Sequence, residues 1–274
     1  MAWTEITRPH YVREGLRYAS DTTDAEWALI EPWMPQPKRL GRKRKTKLRS
    51  IVDALLYILA TGCQWRLLPK DFPPYSTVQG YFYRWRSDGT LWRINHALVM
   101  VAREREDREA SPSAGIIDSQ SVKTTEMGGP RGYDAGKKIN GRKRHILVDT
   151  CGFLIGLVVH PADVQDRDGA PWLIASIRHT HPWLRHVFAD GGYAGKKLAS
   201  ALARLGKWTI EIVKRSDAAK GFIVLPRRWV VERSLAWLGR SRRLAKDFEA
   251  TIASAEAWVL LASIRLITRR LARP

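Results

Sequence analysis

The chain has 274 residues, 45% hydrophobic and 27% charged, which suits one large folded domain or two modest ones and excludes wholesale disorder. Lysine and arginine outnumber the acids 47 to 27, and the net charge of +20 favours a polyanionic partner. The two cysteines, Cys63 and Cys151, form neither a CxxC pair nor a zinc spacing, which argues against a disulfide scaffold or zinc module and for reduced thiols in the cytoplasm.

The opening MAWTEITRPHYVREGLRY is too polar for a signal peptide, and residues 1–20 are expected to form a loosely held arm. From Asp21 the pattern turns helical. Thr23 is a plausible N-cap with Glu26 as its capping-box partner, and Trp27, Ile30, Trp33 and Met34 follow at helical spacing. Residues 38–49 hold eight basic residues and no acid. Apolar groups at 51, 52, 55, 56, 58 and 59 then predict a helix over 48–61. A proline-marked loop leads to predicted helices over 76–86 and 91–108. The segment STVQGYFYRWR carries aromatic and arginine residues and suggests the second helix of a helix-turn-helix, although a plain bundle with an aromatic core fits equally well.

Ser111-Pro112-Ser113 marks a boundary, beyond which strands dominate. Ala114–Asp118 reads as a strand, and His145–Thr150 and Phe153–His160 read as a hairpin turning at Cys151-Gly152. A helix over 167–179, a strand His186–Asp190, a helix Lys196–Leu205 and a strand Thr209–Lys214 follow. Pro226 opens another helix, and a last one spans about 251–272. The apolar stretch AWVLLASIRLI is about half the roughly 20 residues a membrane helix needs, and Arg265 interrupts it. The order predicts a mixed α/β layer behind an all-helical segment, divided as an arm 1–20, a helical part 21–110 with the helix-turn-helix-like segment, and a mixed α/β part 111–274.

Three carboxylates stand in distinctive settings. Asp118 and Asp190 each end a short apolar run, and Glu232 lies on a helix crowded with arginine. If the fold brings them together on so basic a chain, they suit a magnesium site for phosphodiester chemistry, since Mg²⁺ takes a few hard oxygen ligands and two ions can clamp both sides of an in-line displacement. Each has a simpler reading. Asp118 could cap a turn with Ser119 and Ser121, Asp190 could be a turn aspartate before Gly191-Gly192, and Glu232 could pair with Arg228. Asp149, Asp163, Asp166 or Asp168 could replace one of the three or add an outer contact. His145 and His160 read as structural or phosphate-contacting groups, and His179-x-His181 lacks zinc partners. For phosphate contacts the basic runs offer Arg228, Arg240, Arg242 and Arg243 near Glu232, Lys137, Lys138, Arg142, Lys143 and Arg144 beside the second strand, and Lys43, Arg44, Lys45, Arg84 and Arg86 in the helical part.

The motifs WALIEPWMP (27–35), LLYILATGCQWRLLPKDFPPYSTVQGYFYRW (55–85), IIDSQSVKT (116–124), GYDAGKKINGRKRHILVDT (132–150), FADGGYAGKKL (188–198) and LPRRWVVERSLAWLGRSRRLAKDFE (225–249) carry a resemblance over about Thr22 to Glu249. The chain resembles bacterial insertion-sequence transposases of the DDE type, in the group named after the fifth insertion sequence. The resemblance implies an RNase H-like core of α/β class, a mixed sheet flanked by helices and preceded by the helical segment, with Asp118, Asp190 and Glu232 as the triad. It also implies a helical part that helps recognise terminal inverted repeats. A related Tyr-x2-Arg-x3-Glu-x6-Lys signature is kept in part. Arg228 and Glu232 match, Leu225 replaces the tyrosine, and Gly239 replaces the lysine with Arg240 one place later.

The expectation is therefore a transposase that binds its element's ends, cleaves DNA and joins it to a target. It would use two Mg²⁺ ions, with Mn²⁺ able to substitute, and act as a homodimer or larger assembly on double-stranded DNA. Its place would be the cytoplasm, on the nucleoid when DNA-bound, with no membrane partner. A non-cutting repressor and a purely hydrolytic nuclease are the alternatives.

Overall fold

The computed structural model describes residues 13–37, 43–213 and 225–273. Helix α1 (Asp24–Ile30) opens with the expected capping box between Thr23 and Glu26. Helix α2 (Leu48–Thr61) buries Ile51, Val52, Leu55, Leu56, Ile58 and Leu59, the positions its periodicity selects. It stops at Gly62, whose left-handed φ of 70° favours glycine and whose Cα faces the backbone of Arg242. Helices α3 (Tyr75–Ser87) and α4 (Thr90–Glu104) follow, joined by Asp88-Gly89. α3 buries Val78, Phe82 and Trp85 and leaves Tyr83 and Arg84 outside. Residues 62–74, which include a turn of 3₁₀ helix at Trp65–Leu67, separate α2 from α3. The near end of the N-terminal arm is held in place: Arg13 pairs with Glu26 at 2.5 Å, and Tyr18 stacks on Phe72 with centroids 5.1 Å apart.

Among the described residues the second half is built on six strands: β1 (Ala114–Lys123), β2 (Gly132–Asp134), β3 (Ile139–Asp149), β4 (Leu154–Pro161), β5 (His186–Ala189) and β6 (Thr209–Ile212). β3 lies antiparallel to β1, β2 and β4, while β1, β5 and β6 run parallel. This is the mixed, curled sheet of an RNase H-like fold. Helices α5 (Asp166–Ile177), α6 (Lys196–Leu205), α7 (Pro226–Gly239) and α8 (Ile252–Leu271) flank it. Three features differ from the pattern-based expectation. β1 runs five residues past Asp118, β3 starts six residues before His145, and β2 exists. In each case polar or basic residues occupy strand positions because side-chain partners satisfy them there, which periodicity does not register.

Helix α8 is the seam of the molecule. Trp258, Leu260, Leu261, Ile264 and Ile267 are buried on it, packed against the N-terminal helices on one side and against β4 and α7 on the other. The Trp258 ring stacks on Phe82 at 4.7 Å. Asn95 of α4 donates to the Leu154 carbonyl at 2.9 Å, and buried Arg103 pairs with buried Asp149. Hydrophobic packing is continuous from the helical segment into the sheet. Among the described residues no helix is long and apolar enough to cross a membrane.

Candidate active site

Asp118 and Asp190 come together because of strand register. β1 and β5 are parallel, and Ile116 pairs with Phe188, so each aspartate stands two residues beyond that last pair, Asp190 past the end of β5 and Asp118 within the part of β1 that continues along β3. Asp190 then caps a 3₁₀ turn at Gly191–Tyr193, its Oδ1 accepting the Gly192 N–H at 2.8 Å. Asp118 Oδ1 accepts the N–H of Ser119 at 2.7 Å. The turn reading of Asp190 and the site reading are thus compatible, since the turn ties one oxygen and leaves the other, Oδ2, toward Arg228.

Glu232 arrives from α7. That helix is anchored at the β3–β4 turn, where Arg233 donates to the Cys151 carbonyl at 2.9 Å and Ser234 to the Gly152 carbonyl at 2.8 Å. Gly152 has φ of +92°, and a Cβ there would lie 2.9 Å from the Arg233 guanidinium, so glycine permits both the turn and the docking of the helix. Arg228, one turn before Glu232, contacts both remaining acids, 3.2 Å from Glu232 and 3.8 Å from Asp190.

The electrostatics are uneven. Burial pushes Asp118 up to about 6, and Asp190 adds to the rise, while the Ser119 N–H, Lys137 and Arg228 offset part of it. Burial, with the charges of Asp166, Asp118 and Asp190 adding, holds the Tyr193 phenol well above its ordinary value. Two carboxylates facing each other, one largely desolvated, form a locus that a cation stabilises. By donor type, the three acids fit a hard divalent ion. Among the described residues no three such side chains converge on one point as they stand, and Arg228 lies between two of them.

The other acids have settled roles. Asp149 is buried with Arg103 at the far end of β3, opposite Gly115, and accepts the N–H groups of Cys151 and Phe153. Asp168 pairs with Lys197 at 2.6 Å, and Asp163 is exposed. Asp166 lies close behind the site. It accepts from Ser119 Oγ at 2.8 Å and from Lys143 Nζ at 2.9 Å. Burial opposes its ionisation, but those two hydrogen bonds prevail and keep it below the ordinary aspartate value. His145 Nδ1 and His160 Nε2 are 2.7 Å apart, and burial together with His160 pushes His145 down to about 3, so it is neutral at physiological pH. His181 is buried and pushed down to about 4.

The basic residues divide sharply. Lys137, Lys138, Arg240, Arg242, Lys43, Arg44, Lys45 and Arg84 are exposed, and Arg228 is partly so. Arg44 donates to the Pro35 carbonyl at 2.8 Å, and Arg84 lies 5.3 Å over the Tyr81 ring. Arg86 is half-buried and donates to Ser254 Oγ at 2.8 Å. The expectation that residues 142–144 track DNA needs correction, because they point inward. Arg142 has no exposure and binds the carbonyls of Pro130 and Glu249, with Asp247 at 3.2 Å. Arg144 donates to the Leu244 carbonyl at 2.8 Å. Lys143 is buried against Asp166. Arg243 is likewise buried, paired with Glu249 at 2.5 Å and stacked 5.2 Å over Trp258. β3 has neighbours on both edges and helices on its faces, so charges on it must be matched within the protein.

Comparison with known proteins agrees with this architecture. A family model described as "Transposase DDE domain" matches residues 109–267, more than half of the chain. The chain belongs to that family. A second model, "Putative transposase of IS4/5 family", matches residues 22–95, which cover most of the helical segment. The "Putative transposase for insertion sequence element IS402" of Burkholderia cepacia is 33% identical over 141 residues, 49% of this chain and 64% of that protein. The "Insertion element IS402 uncharacterized 16.2 kDa protein" of the same organism is 30% identical over 111 residues, 38% of this chain and 74% of the relative. The "Uncharacterized protein y4sN" of Sinorhizobium fredii is 32% identical over 83 residues, 30% of this chain and 64% of the relative. The protein is thus a transposase of the DDE insertion-sequence class.

Proposed function

We propose that this transposase binds the terminal inverted repeats of its insertion sequence, cleaves there and joins the freed end to target DNA, with Asp118, Asp190 and Glu232 as its catalytic carboxylates and Mg²⁺ as its cofactor. The observation that carries the proposal is that Asp118 and Asp190 each stand two residues past the last β1–β5 pair, with α7 bringing Arg228 into contact with both Asp190 and Glu232. Mn²⁺ would substitute for Mg²⁺.

A pair of divalent ions would supply neutralisation of phosphate charge and activation of the attacking oxygen. Asp118 and Asp190 would hold them, each with one oxygen tied by a backbone N–H, the second oxygen of Asp190 now facing Arg228. Glu232 would complete the set. With the carboxylates so engaged, the planar Arg228 guanidinium would be free to leave Glu232 and bind two oxygens of a phosphate in bidentate fashion. Water attacks in the first step and the freed 3′-hydroxyl in the second, both in line with the leaving oxygen.

Exposed Arg240, Arg242, Lys137 and Lys138 would carry DNA past the site, and Lys43, Arg44, Lys45 and Arg84 would serve the helical part, residues 21–110. Residues 111–274 would form the catalytic part. Joining two element ends calls for at least a dimer in the active complex.

The test is a gel assay of wild type and Glu232→Gln with labelled element-end DNA and a supercoiled target, with and without Mg²⁺. Metal-dependent cutting and joining by wild type only is the expected result. Normal cutting by Glu232→Gln would remove that residue from the triad. Binding without cutting by either protein would favour a repressor, and cutting without joining a hydrolytic nuclease.

A further inference from the structure

Strand β1 alternates its side chains between two faces, so Ser119 and Ser121 lie opposite Asp118. On that far face runs a continuous polar ladder. Ser119 Oγ donates to Asp166 Oδ1 at 2.8 Å, and Ser121 Oγ donates to Asp134 Oδ2 at 2.6 Å. Between the two carboxylates lies the ammonium of Lys143, 2.9 Å from Asp166 and 3.6 Å from Asp134, with its third contact to the Val164 carbonyl at 2.8 Å. Lys143 is the register partner of Ser121 on β3, so the sheet itself sets this spacing. Lys137 closes the cage from the turn before β3, its Nζ donating to the Ser119 carbonyl at 3.2 Å. Buried His145 and Tyr193 pack beside the Asp166 end of the ladder, their rings 5.7 Å apart.

Residue 119 is therefore held at its hydroxyl by Asp166 and at its carbonyl by Lys137. Its one remaining polar group is the N–H that donates to Asp118 Oδ1 at 2.7 Å. Fixing the residue fixes the direction of that N–H, and with it which oxygen of Asp118 is tied and which is presented.

We infer that the ladder Ser119–Asp166–Lys143–Asp134–Ser121 is a positioning device for the Asp118 carboxylate, with Asp166 and Lys143 as positioning residues that set the affinity of the site for its divalent ion. The inference rests on the proposed role of Asp118. It also explains why the segment after Asp118 reads Ser-Gln-Ser in a strand, and why a lysine is buried on β3. A positive charge there neutralises one of two carboxylates that would otherwise repel each other and Asp118.

The experiment is Mn²⁺ binding to the metal-free protein, followed by loss of the free-ion electron paramagnetic resonance signal, for wild type, Asp118→Asn, Ser119→Ala, Ser119→Thr and Asp166→Asn. Thermal denaturation of each variant is measured alongside. Outer-shell partners of metal ligands typically change affinity by about 10- to 100-fold. Ser119→Ala and Asp166→Asn are expected to weaken Mn²⁺ binding within that range while unfolding near the wild-type temperature, and Ser119→Thr, which keeps the hydroxyl, should restore it. Unchanged affinity in Ser119→Ala and Asp166→Asn, with binding abolished in Asp118→Asn, would overturn the positioning role alone. Undiminished binding by Asp118→Asn would overturn the reading of Asp118 beneath it. A loss of affinity that follows thermal stability and is not restored by Ser119→Thr would reduce the ladder to packing.

Discussion

Two parts of the same sheet bury charge in opposite ways. Along β3, Arg142 meets Asp247 and two backbone carbonyls and Lys143 meets Asp166, while Arg144 has the Leu244 carbonyl and is lowered by burial to about 10. Just beyond the β1–β5 pairing, Asp118 feels the charge of Asp190, a group of its own sign, and burial raises its pKa to about 6. Matched burial builds structure. Mismatched burial stores a free-energy cost that a bound cation can remove, and functional sites are where such a cost persists.

The sharpest way to break this comparison is to unmatch the matched end. Arg142→Met leaves Asp247, 2% exposed, without its ion pair and strips the Pro130 and Glu249 carbonyls of their donor. Removing one partner of a buried pair typically costs about 3–5 kcal/mol. Urea denaturation should register most of that loss, and Arg142→Met/Asp247→Asn should recover part of it. If Arg142→Met unfolds like wild type while DNA affinity drops, the arginine faces DNA in solution and its inward placement is wrong.

This division explains what the sequence could reveal. Helices α1, α2 and α6 and the β3–β4 hairpin were legible because apolar spacing and capping residues are local signals. Asp118, Asp190 and Glu232 were visible as acids in distinctive settings; strand register puts Asp118 and Asp190 just past the β1–β5 pairing, and Arg228 links Asp190 to Glu232. The run Arg142-Lys143-Arg144 misled because a row of basic residues looks the same on a surface loop and on a central strand. The difference lies in Asp247, Asp166 and the Leu244 carbonyl, up to about a hundred positions away in the chain. The role of Ser119 was hidden for the same reason, since Asp166 was visible only as an alternative ligand and its bond to Ser119 requires the fold.

A second, smaller effect concerns the mismatched end. The folded pKa of Asp118 lies above the ordinary aspartate value, so its protonated form stabilises the fold below about pH 4, and that contribution is lost as pH rises through about 6. In the metal-free protein, Asp118→Asn should therefore raise stability at pH 7.5 by about 1–3 kcal/mol and change it little at pH 4. Mg²⁺ should stabilise wild type at pH 7.5 and leave Asp118→Asn unmoved. Thermal melts at the two pH values decide the matter. Equal melting temperatures for the two metal-free proteins at pH 7.5 would mean that Asp118 carries no stored cost.

The smallest effect on stability belongs to the charges that are neither matched nor mismatched but exposed. Arg240 and Arg242 face solvent beyond the end of α7, so replacing either with alanine should shift stability by no more than about 0.5 kcal/mol. If they contact phosphate, each loss should weaken DNA binding for every sequence alike and lower the slope of log affinity against log salt by about one. Arg142 and Arg144, both buried, contribute nothing to that slope. A salt titration of Arg240→Ala and Arg242→Ala therefore asks whether charge unspent in folding is what the DNA reads. An unchanged slope would place the DNA path on another face, with Lys137 and Lys138 the next residues to replace.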